Sequence, residues 1–177
     1  MKITTRRIAF AGVLAAVYAT LTILEGALAP TLAYGTIQYR FAEALAVLCC
    51  FTPAAIPGMV IGCMAANLAS FVSAWDFVIG SGATLLACVI TWFISRDLEQ
   101  KRWKIWLIPL PTILCNAVIV GAEIAFFFDT DRAFLTAYGV NALFVGIGET
   151  AVLYVLGLPL LLWLLRSERL SRQLRAI

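Results

Sequence analysis

Glu25, Glu43, Glu123 and Glu149 lie within or at the ends of stretches that otherwise consist of lipid-soluble side chains, in a chain without a single histidine. A bare carboxylate in hydrocarbon costs several kcal/mol, so each of the four must face a cavity, water or a partner. Together they predict a polar pocket. Asn67, Asn116 and Asn141 sit in stretches of the same kind, and Arg40 precedes Glu43 by three residues, near enough to pair with it. Carboxylates accept N–H donors or hold a cation, while amides and a guanidinium can donate to a carbonyl. Tyr34, Tyr39, Phe71, Trp75 and Phe126 fall at the outward ends or connections, where a planar heterocycle could be sandwiched. Trp75, beside Asp76, and Tyr34 are the aromatic candidates for the site. An asparagine in such a stretch also serves simply to bond helices together, but that role explains one amide more easily than four carboxylates at once.

The elements that must position these groups follow from composition. With 63% hydrophobic and 13% charged residues and a mean hydropathy of +0.97, the chain has too few charges to cover a soluble domain. An all-α membrane protein is expected, a single membrane domain over residues 1–177. Six hydrophobic segments emerge, at about 8–28, 39–52, 54–73, 77–95, 105–128 and 138–165. The second is short for a crossing, and Thr52-Pro53 followed by Pro57-Gly58 marks a tight turn into the third. Basic residues cluster at Lys2, Arg6 and Arg7, at Arg96, Lys101, Arg102 and Lys104, and at Arg166, Arg169, Arg172 and Arg175. Six helices with both termini cytoplasmic put all three clusters inside, as the bias of lysine and arginine towards cytoplasmic loops requires. Trp103, Trp106 and Trp163 lie beside them as interfacial anchors. The start of the chain also imitates a cleavable signal peptide, with Ala27-Leu28-Ala29 before Pro30, but the apolar run is long and its removal leaves an odd number of crossings.

The outward half then carries Arg40 and Arg132 against Glu25, Glu43, Asp76, Glu123, Asp129, Asp131 and Glu149, an excess of acid suited to a cationic or donor-rich solute. At 1.5 Å per residue most of the candidate groups fall towards the outward ends of their helices, with Asn116 nearer the middle. Asn116 and Glu123, seven apart, share a face, and Asn141, Val145 and Glu149 form a stripe at intervals of four. On the first helix Ala11, Ala15 and Ala19 repeat every four residues, a flat strip fit for close approach of another helix, either inside this chain or in a separate subunit. Cys49, Cys50, Cys63, Cys88 and Cys115 all lie in apolar runs and read as packing residues, with no metal site. Lysine occurs only at positions 2, 101 and 104, so the chain holds no phosphate-binding GxxxxGK loop, and the histidine-based catalytic motifs are missing as well. No enzyme activity and no cofactor are expected.

Residues 34–45, Tyr-Gly-Thr-Ile-Gln-Tyr-Arg-Phe-Ala-Glu-Ala-Leu, resemble the QueT family of queuosine-precursor transporters, as do Phe51-Thr52-Pro53-Ala54-Ala55-Ile56-Pro57-Gly58 and Ile61-Gly62-Cys63-Met64-Ala65-Ala66-Asn67. So do the run from Asn116 to Glu123, Gly146-Ile147-Gly148-Glu149, and Gly157-Leu158-Pro159. Tyr39 and Ala42 stand where the family pattern has Phe and Ser. The resemblance implies a substrate-binding S component of an energy-coupling-factor (ECF) importer, a six-helix bundle in a bacterial cell membrane. It also implies a transmembrane coupling protein and two cytoplasmic ATPases as partners, docking along Ala11, Ala15 and Ala19. The solute implied is a 7-deazaguanine such as preQ1, preQ0 or queuine. Its binding groups are expected among Glu43, Glu123, Glu149, Asn67, Asn116, Asn141, Arg40, Trp75 and Tyr34, beneath an outward lid formed by residues 29–38. An ion-coupled secondary transporter using the same carboxylates as a relay is the alternative.

Overall fold

Backbone N–H and C=O groups in hydrocarbon have no water to bond, so apolar runs of this length can satisfy them only within a helix. The computed structural model describes residues 4–29, 37, 39–70, 74–98 and 100–177, with 69, 70 and 74 by backbone alone, and every regular element among them is a helix. α1 spans Thr5–Leu28, and the Thr4 hydroxyl caps it by accepting the Arg7 N–H at 3.4 Å. α2 spans Phe41–Cys50, α3 Ala55–Ser70 and α4 Ala74–Ser95. α5 occupies Arg102–Phe127 and α6 Phe134–Arg166, followed by α7 at Glu168–Arg175. Four of these, α1, α4, α5 and α6, are long and apolar enough to cross a membrane, whereas α2 and α3 are apolar but shorter than the expected segments 39–52 and 54–73.

α2 is wound as a 3₁₀ helix over its ten residues. At about 2.0 Å per residue it reaches about 20 Å, a third further than an α-helix of the same length. Ala42, Glu43, Ala44, Ala46, Val47 and Cys49 are buried, so this thin helix runs through the interior. It joins two apolar cores. Ala42, Ala46 and Cys49 pack with Leu14, Tyr18, Met59, Cys63 and Cys88, while Val47 and Phe51 pack with Leu98, Ile108, Leu158, Leu161 and Leu164. The Thr52 hydroxyl accepts the Ala54 N–H at 3.2 Å and turns the chain into α3.

α1 lies along α3 at backbone contact. A Cβ on Gly62 would stand 2.7 Å from the Tyr18 Cβ and 2.8 Å from the Ala15 oxygen, and one on Gly58 would stand 2.9 Å from the Ala11 oxygen. Glycine is what lets these two helices touch. The C-terminal half of α5 and the N-terminal half of α6 meet in the same way, since a Cβ on Gly121 would fall 2.7 Å from the Ala142 Cα.

α5 and α6 both change winding part-way. α5 passes through a π-helical turn at Asn116–Val120, and α6 through another at Leu153–Gly157, just before Pro159. Proline lacks the N–H that would close the next α turn, and a wider turn is one way to absorb that loss. The outside of the bundle stays apolar: Val13, Val78, Leu135 and Val155 are all exposed. All five cysteines are free thiols.

Candidate functional site

Two separate polar knots and one cavity occupy the interior near the start of α2. The first knot forms where α1 meets α2. Glu25, on the last turns of α1, accepts the Phe41 N–H at 3.1 Å through Oε2, which satisfies one of the donors that the start of α2 leaves without an intrahelical partner. Two turns back on the same face, the Tyr18 hydroxyl donates to Glu43 Oε1 at 2.5 Å. Glu43 has no exposed surface. The Thr84 hydroxyl, from α4, lies 3.5 Å from the same oxygen but is nearer the Gly80 carbonyl at 3.1 Å, so its single proton goes there first. Glu43 Oε2 is buried without a partner.

The second knot ties the connection before α2 to α3 and α4. Arg40 forms an ion pair with Asp76 at 3.2 Å and donates to Asn67 Oδ1 at 3.4 Å, while Asn67 Nδ2 donates to the Asp76 backbone carbonyl at 2.8 Å. Gly80 leaves the room this triangle needs, because a Cβ there would stand 2.6 Å from Asp76 Oδ1 and 3.1 Å from Asn67 Nδ2. The expected pairing of Arg40 with Glu43 gives way to Asp76. Arg40 lies outside the helix, with φ −102° and ψ 89°, so helical spacing does not bring it onto Glu43.

Arg40 also lines the cavity, together with Asn116 and Val120 of α5 and Val145 and Glu149 of α6. Asn116 Nδ2 donates to Glu149 Oε1 at 2.8 Å. A carboxylate only accepts, so Asn116 must present its NH₂ to Glu149 and turn Oδ1 elsewhere. Asn116 Oδ1 and Glu149 Oε2 are both buried and unpartnered. The empty volume is about 220 Å³, though its narrow shape leaves room for about one water molecule. A larger guest therefore requires the helices around it to give way.

Glu123, one α-helical segment beyond Asn116, is buried with both oxygens unpartnered, and Asp76 and Arg40 are the charged groups that act on it. It does not line the cavity. Asn141 departs further from the expected stripe: its amide donates to Asp129 Oδ2 at 2.9 Å and to the Ala137 carbonyl at 2.8 Å, leaving only Val145 and Glu149 of that stripe at the cavity. Eight residues along a helix amount to a rotation of about 80°, and Asp129 at the end of α5 takes the amide that this rotation turns away. Trp75 is 56% exposed and stacks on Phe127 at 5.2 Å between centroids, on the outer surface of α4 rather than in the cavity. Tyr34 and nearly all of the segment 29–38 read as a lid lie outside the described residues.

The alanine strip divides. Ala11 and Ala15 face Gly58 and Gly62, so for these two the structure shows internal packing against α3. Ala19 is half-buried, and Gly12 and Ala16 are exposed. A bulky residue at Ala15 therefore tests the α1–α3 contact rather than docking.

Tyr18 and Thr84 were not among the expected site residues. The signal for Tyr18 was its seven-residue spacing to Glu25, which puts both polar groups on one face of an otherwise apolar helix. Tyr18→Phe removes the short donor to Glu43 and leaves a buried carboxylate oxygen unpaired, so a loss of about 1–3 kcal/mol is expected. Thermal unfolding in detergent measures it, and an unchanged midpoint refutes a supporting role for this bond.

The family model described as QueT transporter matches residues 8–166, including every group placed above. No curated protein and no solved structure matches the chain.

Proposed function

The chain belongs to the QueT transporter family, and on that footing we propose that it is the substrate-binding subunit of an ECF-type importer, capturing a queuosine precursor from outside the cell. In this reading the chain crosses a bacterial plasma membrane six times, with both termini cytoplasmic and α2 and α3 as the two short crossings. A coupling protein and two ATPases, not this chain, supply the energy.

The observation that carries the proposal is the convergence of Arg40, Asn116 and Glu149 on one cavity with two acceptor atoms unpartnered. A 7-deazaguanine presents a carbonyl, a ring N–H and an amino group along one edge. Glu149 Oε2 and Asn116 Oδ1 take the two donors. Arg40, whose contacts to Asn67 and Asp76 both run through Nη2, offers Nη1 or Nε to the carbonyl. Glu123 is the acceptor for a cationic side arm such as the aminomethyl group of preQ1. Glu43, held by Tyr18, supports α2 beneath Arg40 rather than meeting the ligand through Oε1.

Calorimetric titration of the purified chain with preQ1, preQ0 and queuine tests this. Saturable binding of at least one is expected, and no heat from any of them overturns the substrate assignment. Proteoliposomes containing the chain alone are expected to show no uptake under a proton or sodium gradient. Gradient-driven uptake overturns the ECF assignment in favour of a secondary transporter.

A further inference from the structure

Arg40, Asn116 and Glu149 meet a ring edge that every guanine-like base presents, so they leave the choice among such guests open. Glu123 stands apart from that edge. Val120 lines the cavity, and Glu123 follows it by three residues in the α-helical stretch Gly121–Phe127, which puts the two on one face with the carboxylate a turn nearer the end of α5. Both oxygens of Glu123 are buried, and neither has a hydrogen-bond partner among the described residues. A carboxylate that merely tied helices together would hold a donor from a neighbouring helix.

The charges around it leave the same gap. Asp76 and Arg40 act on Glu123. Arg40 is engaged by Asp76 at 3.2 Å and by Asn67 at 3.4 Å, and Asp76 has the same sign as Glu123. The backbone that carries Glu123 is also held. Gly121, two residues before it, lies against α6 so closely that a Cβ would fall 2.7 Å from the Ala142 Cα, and Asn141 donates to Asp129 Oδ2 at 2.9 Å just past the end of α5. Turning the carboxylate out to water would break both contacts. A buried carboxylate without its own partner is costly, and here relief comes from a cation brought by the guest.

We infer, resting on the assignment of the cavity to a 7-deazaguanine, that Glu123 is the specificity-determining residue of the site and selects guests whose arm at ring position 7 is cationic. preQ1 and queuine then belong to the substrate class, and preQ0, whose arm ends in a nitrile, does not. An ammonium supplies both the donor and the opposite charge that Glu123 lacks. The nitrile nitrogen is an acceptor and meets the carboxylate lone pair to lone pair. Because the arm lies away from the shared edge, discrimination at Glu123 is separate from the affinity that Glu149 and Asn116 contribute.

Competition calorimetry with preQ1 and preQ0 reads the ratio of their affinities. The unaltered chain is expected to favour preQ1 by at least about tenfold, and Glu123→Gln, which removes the charge and offers the nitrile an NH₂ donor, to bring the ratio within about threefold. Glu149→Gln, at the shared edge, is expected to weaken both guests alike and keep the ratio. A ratio near one in the unaltered chain overturns the inference while the binding of 7-deazaguanines stands. Equal weakening of both guests by Glu123→Gln, with the ratio kept, shows a structural role and also overturns it. Binding of neither guest nor of queuine overturns the cavity assignment and the inference together. Glu123→Asp keeps the charge at shorter reach and is expected to retain a preference for preQ1 of at least about fivefold, whereas a ratio as low as that of the glutamine variant overturns the role of charge. 7-Carboxy-7-deazaguanine reverses the charge of the arm and is expected to bind more weakly than preQ0, and tighter binding than preQ0 overturns the selection.

Discussion

Glu149→Gln is expected to weaken binding of the 7-deazaguanine ligand by roughly 30- to 1000-fold, the equivalent of about 2–4 kcal/mol, while leaving the protein at least as stable as before. The two effects separate because Glu149 carries two unlike oxygens. Oε1 accepts from Asn116 at 2.8 Å, and Oε2 is buried without a partner. With the Asn116 amide oriented as it is, glutamine can keep that bond only by turning its own oxygen there. Its NH₂ then points into the cavity, so a donor confronts the donor edge of the ligand. In the empty protein the same change removes a desolvated carboxylate, which favours the folded state. Calorimetry and thermal unfolding on one preparation read both quantities. An affinity within twofold of the unaltered chain sinks the assignment of Glu149, and loss of both affinity and stability shows a structural role instead.

Gly62→Ala is expected to destabilise the bundle by about 1–3 kcal/mol or more. The new Cβ would stand 2.7 Å from the Tyr18 Cβ and 2.8 Å from the Ala15 oxygen, and backbone cannot move aside as a flexible side chain can. Only 22% of the α1 membrane window is buried, so little else holds this helix to the rest. Separation of α1 from α3 also draws Tyr18 away from Glu43 and Glu25 away from the start of α2, which links the stability loss to weaker ligand binding. Gly12→Ala is the matched control, because nothing lies within 4 Å of a Cβ there. Its stability is expected to stay the same or to rise by up to about 1 kcal/mol, since alanine suits a helix interior better than glycine. Equal responses at the two glycines refute the contact.

The long apolar helices were legible because length and hydropathy alone require them: α1, α4, α5 and α6 all lie within a few residues of their expected bounds. What hydropathy does not encode is winding. Nothing in Phe41–Cys50 announces a 3₁₀ helix, since its small apolar side chains suit either geometry, and the choice is made by neighbours on every side. The four glutamates were correctly marked as costly, and all four are buried, yet their partners depended on tertiary detail. Glu25 meets a backbone N–H, Glu43 a tyrosine from another helix, and Arg40 an aspartate thirty-six residues away in place of the glutamate three residues away. Spacing along one helix predicts its own face well. It fails for Asn141 because Asp129, in the connection after α5, takes the amide, while Trp75, chosen for its place beside Asp76, stacks on Phe127 of α5.

α2 behaves as a screw whose pitch sets both height and angle. In a threefold winding Glu43, Ala46 and Cys49 fall on one line along the helix, and all three are buried. If the same ten residues rewound to 3.6 per turn, the helix would shorten by about 5 Å, and over the six residues from Cys49 back to Glu43 its face would turn by about a third of a revolution. Arg40, carried on the end of that thread, would be drawn down from the cavity mouth as the carboxylate swung aside. The aim of Glu43 and the reach of Arg40 are thus one degree of freedom, set by the pitch of the innermost helix.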